Sequence, residues 1–136
     1  MDIQMWRGIV PLSNANLREF ESTFRFNIDT SLRDYLLEHN GGIPTQGTFP
    51  TAVKQRKIAR IMDFSDRDLA DGAWAVNRRL RNRIGEKRII IGTDSLGNFV
   101  CLERDYRRQY IVLWNHLTDA FEESLWDIPA FLRGIG

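Results

Sequence analysis

Two histidines, one cysteine and a scatter of carboxylates are the residues of this sequence with chemistry to offer. His116 closes "IVLWNH" (111–116), shortly after Asp94, Gly97, Asn98 and Cys101 in "IGTDSLGNFVCLE" (91–103). A histidine beside an acid can act as a base or a metal ligand, because its ring titrates near neutral pH. Nucleophilic catalysis also needs a hydroxyl or thiol paired with that base. None is paired with His116 along the chain. His116 therefore reads as a histidine whose ring nitrogens bond backbone in the loop after Trp114. Zinc would need further ligands at suitable spacing. His39 is far away in sequence, which leaves its distance in space open.

Asp94, Gly97 and Asn98 imitate part of a calcium loop. Leu96 stands where an oxygen ligand is expected, and no Glu occupies the loop's twelfth position. A turn is the better reading: Asp bonds the backbone just after it, and Gly and Asn accept positive φ. Cys101 alternates within a β-pattern, with nothing nearby to lower its pKa, which is the setting of an inert buried thiol. Trp6, Trp74, Trp114 and Trp126 read as core or half-buried residues rather than a stacking platform. The expectation is a protein with no catalytic set, no metal, no cofactor and no turnover.

Charge is segregated along the chain. The net charge of +1 splits into −2 over residues 1–53, +6 over 54–88 and −3 over 89–136. The basic segment contains "RRLRNR", in which helical phase exposes Arg78, Arg79, Arg81 and Arg83. Such a face can contact phosphate, but it lacks the interleaved aromatic residues suited to base stacking. A solvated helix face, or a surface for an acidic protein, is preferred over nucleic acid. Glu103, Asp105, Glu122 and Glu123 are the candidates for engaging a basic partner.

These residues need a scaffold. A chain of 136 residues with 43% hydrophobic and 27% charged residues has the size and composition of one domain with one ordinary core. No apolar run approaches bilayer-spanning length. The start, MDIQMWRGIV, lacks a basic lead and a long apolar middle. One Cys allows no intrachain disulfide, so a reducing, cytoplasmic setting is expected. Leu17, Phe20 and Phe24 predict a helix over 14–25, with Asn16 and Glu19 as its capping box. Ser31 with Asp34 opens a second helix, with Leu32, Tyr35, Leu36 and His39 inside, and Asn40-Gly41-Gly42 ends it. Residues 43–57 read as irregular. Alternation at Ile58, Met62 and Phe64 predicts a strand over 58–64. Trp74, Asn77, Leu80 and Ile84 mark a helix over 70–84. Strands come next at 88–92, 98–103 and 109–114, the last two as a hairpin. Asp127 and Pro129 start a final helix. The order predicts an α+β fold with a mainly antiparallel sheet. Leu36, Phe20, Ile90, Phe99, Cys101, Ile111, Leu113 and Phe131 are the expected core.

Together, "LRDYLLEHNGG" (32–42), "IGTDSLGNFVCLE" (91–103), "IVLWNH" (111–116) and "IPAFL" (128–132) resemble the SUKH superfamily, in particular its SMI/KNR-type branch, over about residues 14–134. Members show a helix ending in Asn-Gly-Gly, an Asp…Gly-Asn strand, an aromatic residue just before a His, and a final docking helix. Two features depart from that pattern: Asp29-Thr30-Ser31 replaces the usual Leu-Pro, and Trp114-Asn115-His116-Leu117 replaces Trp-Asp-His-Glu. The resemblance implies a SUKH-like α+β fold without established catalysis. In it Gly41, Gly42, Asp94, Gly97, Asn98, Trp114 and His116 are architectural. It also implies a protein partner: bacterial members are largely immunity proteins that neutralise polymorphic toxins, often nucleases, and fungal relatives are regulatory interaction proteins. The expected oligomeric state is a monomer or weak homodimer, with no membrane contact.

Overall fold

Apolar, β-branched segments in the second half of the chain pair into the middle of one sheet, and shorter segments complete its edges. The structure is a computed structural model that describes residues 6–136. Of the opening stretch MDIQMWRGIV read for a leader, residues 1–5 lie outside the described residues, as do the side chains of Trp6 and Arg7. In chain order the elements are β1 (Trp6–Arg7), α1 (Asn14–Phe24), α2 (Thr30–His39), β2 (Ile43–Pro44), β3 (Thr48–Pro50), β4 (Gln55–Ile61), α3 (Ala73–Ile84), β5 (Arg88–Asp94), β6 (Phe99–Arg104), β7 (Gln109–Asn115), β8 (Ala120–Glu123) and α4 (Ile128–Ile135). Strands β3 to β8 form a six-stranded sheet in sequence order, each antiparallel to its neighbour. Strands β1 and β2 pair separately. The class is α+β, as the sequence predicts.

The sheet curls until its edges meet. Register shifts mark bulges between Ile58 and Arg60 in β4 and between Ile90 and Gly92 in β5, and bulges bend a strand and increase its twist. Gly92 permits the close crossing, since a Cβ there would lie 2.7 Å from the Arg60 carbonyl oxygen. Thr51 then bridges Ser124, and Leu125 N–H donates to the Pro50 carbonyl at 2.9 Å. Arg56 reaches from β4 to Glu122 in β8 as a two-pronged ion pair, with side chains only 11% and 14% exposed. Thr51 Oγ1 donates to the same carboxylate at 2.7 Å.

Alternation along the paired strands puts Phe49, Ile58, Leu102, Ile111 and Leu113 on one face, where Phe131 of α4 meets Phe49 edge-on at 5.1 Å. The other face carries Phe99, Cys101, Val112 and Trp114. Helix α3 packs there: the buried Asn77 amide donates to the Ile90 carbonyl at 3.0 Å and accepts from Ile90 N–H at 2.7 Å. Asn77 so pairs backbone groups of β5 beside its bulge, which a buried polar group must achieve to avoid a desolvation cost. Phe20 of α1 lies edge-on to Phe64 and Trp74, at 4.8 and 5.4 Å.

Several expectations are corrected. The strand expected at 58–64 is β4, Gln55–Ile61, because its bulge breaks simple alternation. Met62 to Phe64 lie beyond the strand and are buried: Met62 N–H still donates to the Ile91 carbonyl of β5 at 2.9 Å, and Trp74 Nε1 donates to the Phe64 carbonyl at 2.9 Å. Residues 43–57, expected to be irregular, contain β2, β3 and the start of β4, and β8 is a strand that the sequence pattern does not predict. Ser13, not Asn16, caps α1, with Asn16 completing the box from the third helical position. Asp29 caps α2 through Ser31 N–H and Leu32 N–H. Helix α3 starts at Ala73, behind Gly72, rather than at 70. Phe99 is half-buried rather than buried; the other seven expected core residues are buried.

Removing Glu122 strands a desolvated guanidinium. Glu122→Ala is expected to cost about 3 kcal/mol, measured by chemical denaturation, whereas the paired change Arg56→Met with Glu122→Met costs less than the single one. The Arg56 hydrogen bonds, partly opposed by burial, hold the Glu122 carboxyl below its ordinary value. A depressed carboxyl stabilises above its unfolded-state pKa of about 4.3. That contribution is lost as pH falls through the lower folded-state value, so the acid unfolding limb of Glu122→Gln should be shallower than that of the parent.

Candidate functional site

The β5–β6 turn is built by one side chain. Asp94 Oδ1 accepts from Leu96 N–H at 2.9 Å and Asn98 N–H at 2.7 Å, while Oδ2 accepts from Asn98 Nδ2 at 2.9 Å. Gly97 takes φ +84° between them. Asp94 and Asn98 are buried, and the carboxylate is already occupied by the turn itself. At the end of α2, Gly41 adopts φ +72° and Gly42 N–H donates to the His39 carbonyl at 2.9 Å. The preceding Asn40 is fully buried: its amide donates to Val10 O and Asp63 Oδ1, and its oxygen accepts from Phe64 N–H at 2.7 Å. Burial works to raise the Asp63 carboxyl, but hydrogen bonds from Ser65 and Asn40 and the nearby Arg60 charge outweigh it and hold it low.

Trp114 is the centre of an aromatic ladder running across three strands. It stacks on Phe99 at 5.7 Å and on Phe121 at 6.0 Å, and its Nε1 donates to Asp119 at 2.9 Å. The Arg83 guanidinium lies 4.9 Å from its ring and the Arg88 guanidinium 4.1 Å from that of Phe121. His116 meets Phe99 edge-on at 5.3 Å. Its ring does not bond backbone as expected: among the described residues the buried Nδ1 has no hydrogen-bond partner, and it is the His116 carbonyl that is engaged, by Arg83 Nη2 at 2.6 Å. His39 stacks on Tyr35 within α2. Among the described residues no group of three or more His, Cys, Asp or Glu is placed to hold a metal ion. Cys101 is fully buried, and burial raises its thiol far above the ordinary value.

The arginines of α3 differ from one another. Arg78 donates to the Arg67 carbonyl at 2.9 Å, and Arg81 to the Phe24 carbonyl at 3.0 Å. Arg83 donates to the His116 carbonyl. These three guanidinia tie α3 to neighbouring segments, and Arg81 is half-buried rather than exposed as helical phase predicts. Arg79 makes no hydrogen bond or ion pair among the described residues, and it is exposed. It lines a cleft of about 210 Å³ with Arg60, Asp71, Val76, Thr93 and Phe99.

The four candidate acids do not make one free acidic face. Glu103 is half-buried between Arg88, at 2.5 Å, and the Tyr110 hydroxyl; that hydrogen bond and partial burial push the Tyr110 hydroxyl up to about 12. Glu122 closes the sheet. Asp105 accepts from Arg107 N–H and Arg108 N–H in the β6–β7 turn, which lowers its carboxyl. Glu123 is exposed beside Arg108 at 3.4 Å. Sequence reasoning missed the cleft and the role of Asn77. The signal for the latter was present: Asn77 is the one polar member of the inner face of α3.

A Cβ on Gly97 meets no atom within 4 Å, so substitution there tests backbone conformation alone. Gly97→Val is expected to destabilise by about 1–2 kcal/mol and Gly97→Asn by much less, because Asn tolerates positive φ. Denaturant midpoints of the two variants check this.

A family model described as SUKH, SMI1-KNR4 cell-wall, matches residues 14–131, from the first turn of α1 into α4. Comparison with curated proteins and with solved structures gives no match. The matched span contains the Asn-Gly-Gly helix end, the Asp94 turn, the Trp114 ladder and the curled sheet. SUKH domains are immunity-type and regulatory modules, generally without enzymatic activity. By this match the chain belongs to the SUKH family.

Proposed function

We propose that this protein is an immunity protein: it binds a cognate toxin domain, a nuclease being the leading class, and blocks its active site by contact. The observation that carries this reading is the family match over residues 14–131. The site chemistry is consistent with it. Asp94 is occupied by its own turn, and Cys101 is a buried neutral thiol. Inhibition by exclusion needs a rigid surface with aromatic and arginine anchors. The ladder of Phe99, Trp114 and Phe121 with its flanking guanidinia supplies stiffness, and Arg79 supplies an uncommitted charge. The protein acts as one domain in the cytoplasm, where a toxin would reach its target.

The cell-wall description of the family favours a second reading, a regulatory interaction module. Nucleic-acid binding by α3 is disfavoured, because Arg78, Arg81 and Arg83 already bond protein carbonyls.

The test is co-expression with the C-terminal domain of the protein encoded by the neighbouring gene. Protection of the cells and co-purification of a complex are expected. Association should slow with added salt while dissociation changes little. Killing that is equal with and without this protein, and no complex, refutes the reading for that pair.

A further inference from the structure

The cleft between α3 and strands β4–β6 has the build of a docking socket. Its floor is buried, formed by Met62, Asp63 and Val76, and its rim is exposed, with Arg60, Ala70, Asp71 and Arg79. Phe99 forms one wall. That wall is held by the stack of Phe99 on Trp114 and of Trp114 on Phe121, so it is shaped before anything binds. The volume, about 210 Å³, falls below the range of about 300–1,000 Å³ typical of pockets for drug-sized ligands. It suits a single large side chain, as in the desolvated pockets that receive anchor residues at protein interfaces.

The rim charge selects the neighbours of that side chain. Arg79 has no partner among the described residues. Arg60 is steadied through Nε, which donates to the Gly41 carbonyl at 3.1 Å, leaving its terminal nitrogens available. Asp63 lies buried on the floor, where its Oδ1 accepts from Asn40 Nδ2, Ser65 N–H and Ser65 Oγ and its charge offsets part of that of Arg60, whereas Arg79 has no such neighbour among the described residues. Asp71 is then one exposed acid against two guanidinia. Arginine forks favour carboxylates. We infer that this cleft receives an aromatic side chain of the partner, flanked by carboxylates, with Arg79 and Arg60 engaging those carboxylates. This rests on the immunity reading for its occupant, an acidic, aromatic-bearing segment of the toxin.

Amide chemical shifts of the full chain can be monitored while acetyl-Asp-Phe-Glu-amide is added, with acetyl-Lys-Phe-Lys-amide and acetyl-Asp-Gly-Glu-amide as controls. The acidic aromatic peptide should shift Val76, Thr93 and Phe99 saturably, and the controls should not. Arg79→Glu should weaken it by about tenfold or more. Ala70→Trp, which fills the cleft from its exposed rim, should block it without touching the core. Shifts that are equal for all three peptides, that centre elsewhere, or that persist in Arg79→Glu would overturn the inference. The toxin arm separates it from the immunity reading. If the parent protects cells and both variants protect and co-purify equally well, the socket is refuted and immunity stands. If the parent gives no protection while the acidic peptide binds as described, the immunity reading is refuted for that pair and the socket stands as a site for peptides of that chemistry.

Discussion

Strands β3 and β8 stand at opposite ends of the strand order, yet Thr51 pairs with Ser124 and Arg56 reaches Glu122. Bringing these residues together requires the sheet to curl, and the two bulges in β4 and β5, with Gly92 at their crossing, supply the bend. The placement of the helices depends on that curl. It folds one face around the aromatic and aliphatic core that α4 covers, and it presents the other to α3. The β5 bulge exposes backbone groups that Asn77 satisfies, which sets where α3 lies. The position of α3 in turn puts Arg83 over Trp114 and leaves the cleft beside Phe99.

Arginine here works as much in packing as in charge. Its planar group can donate to carbonyls while lying on a ring, and Arg81 and Arg83 do both. A lysine in either place would lose the fork geometry and much of the ring contact. The basic middle of the chain is therefore largely a cross-linking device, and Arg79 differs from the other arginines of α3 because it has no partner among the described residues. On this helix the arginines that hold it in place are thus distinct from the one that projects into the cleft.

Local signals in the sequence were legible and distant ones were not. The β6–β7 hairpin showed itself through unbroken apolar runs, and the Asp94 turn through a side chain bonding the backbone just after it. The helices were placed to within a few residues by caps and apolar spacing. Strands β3 and β8 were invisible because they are three and four residues long, and β8 lacks alternating burial. They exist through pairing with β4 and β7, each along one side only. Strand β4 was displaced because a bulge resets the side-chain phase. The arginines of α3 were read as solvated because their acceptors lie 11, 57 and 33 residues away in the chain. Periodicity reports which side of a helix points outward, not what another segment brings to meet it.

The closed seam also bears on solubility. An open sheet ends in rows of unpaired N–H and C=O groups, which act as templates for strands of other molecules. Here Leu125 N–H donates to the Pro50 carbonyl across the seam beside the Thr51–Ser124 bridge, Thr51 N–H is taken up by the Lys54 carbonyl and Ser124 N–H by the Ile111 carbonyl, and β3 ends in Pro50, which has no N–H to offer. What remains of each edge is only a few residues long. The geometry that shapes the core thus also leaves little exposed backbone from which fibril-like stacking could begin.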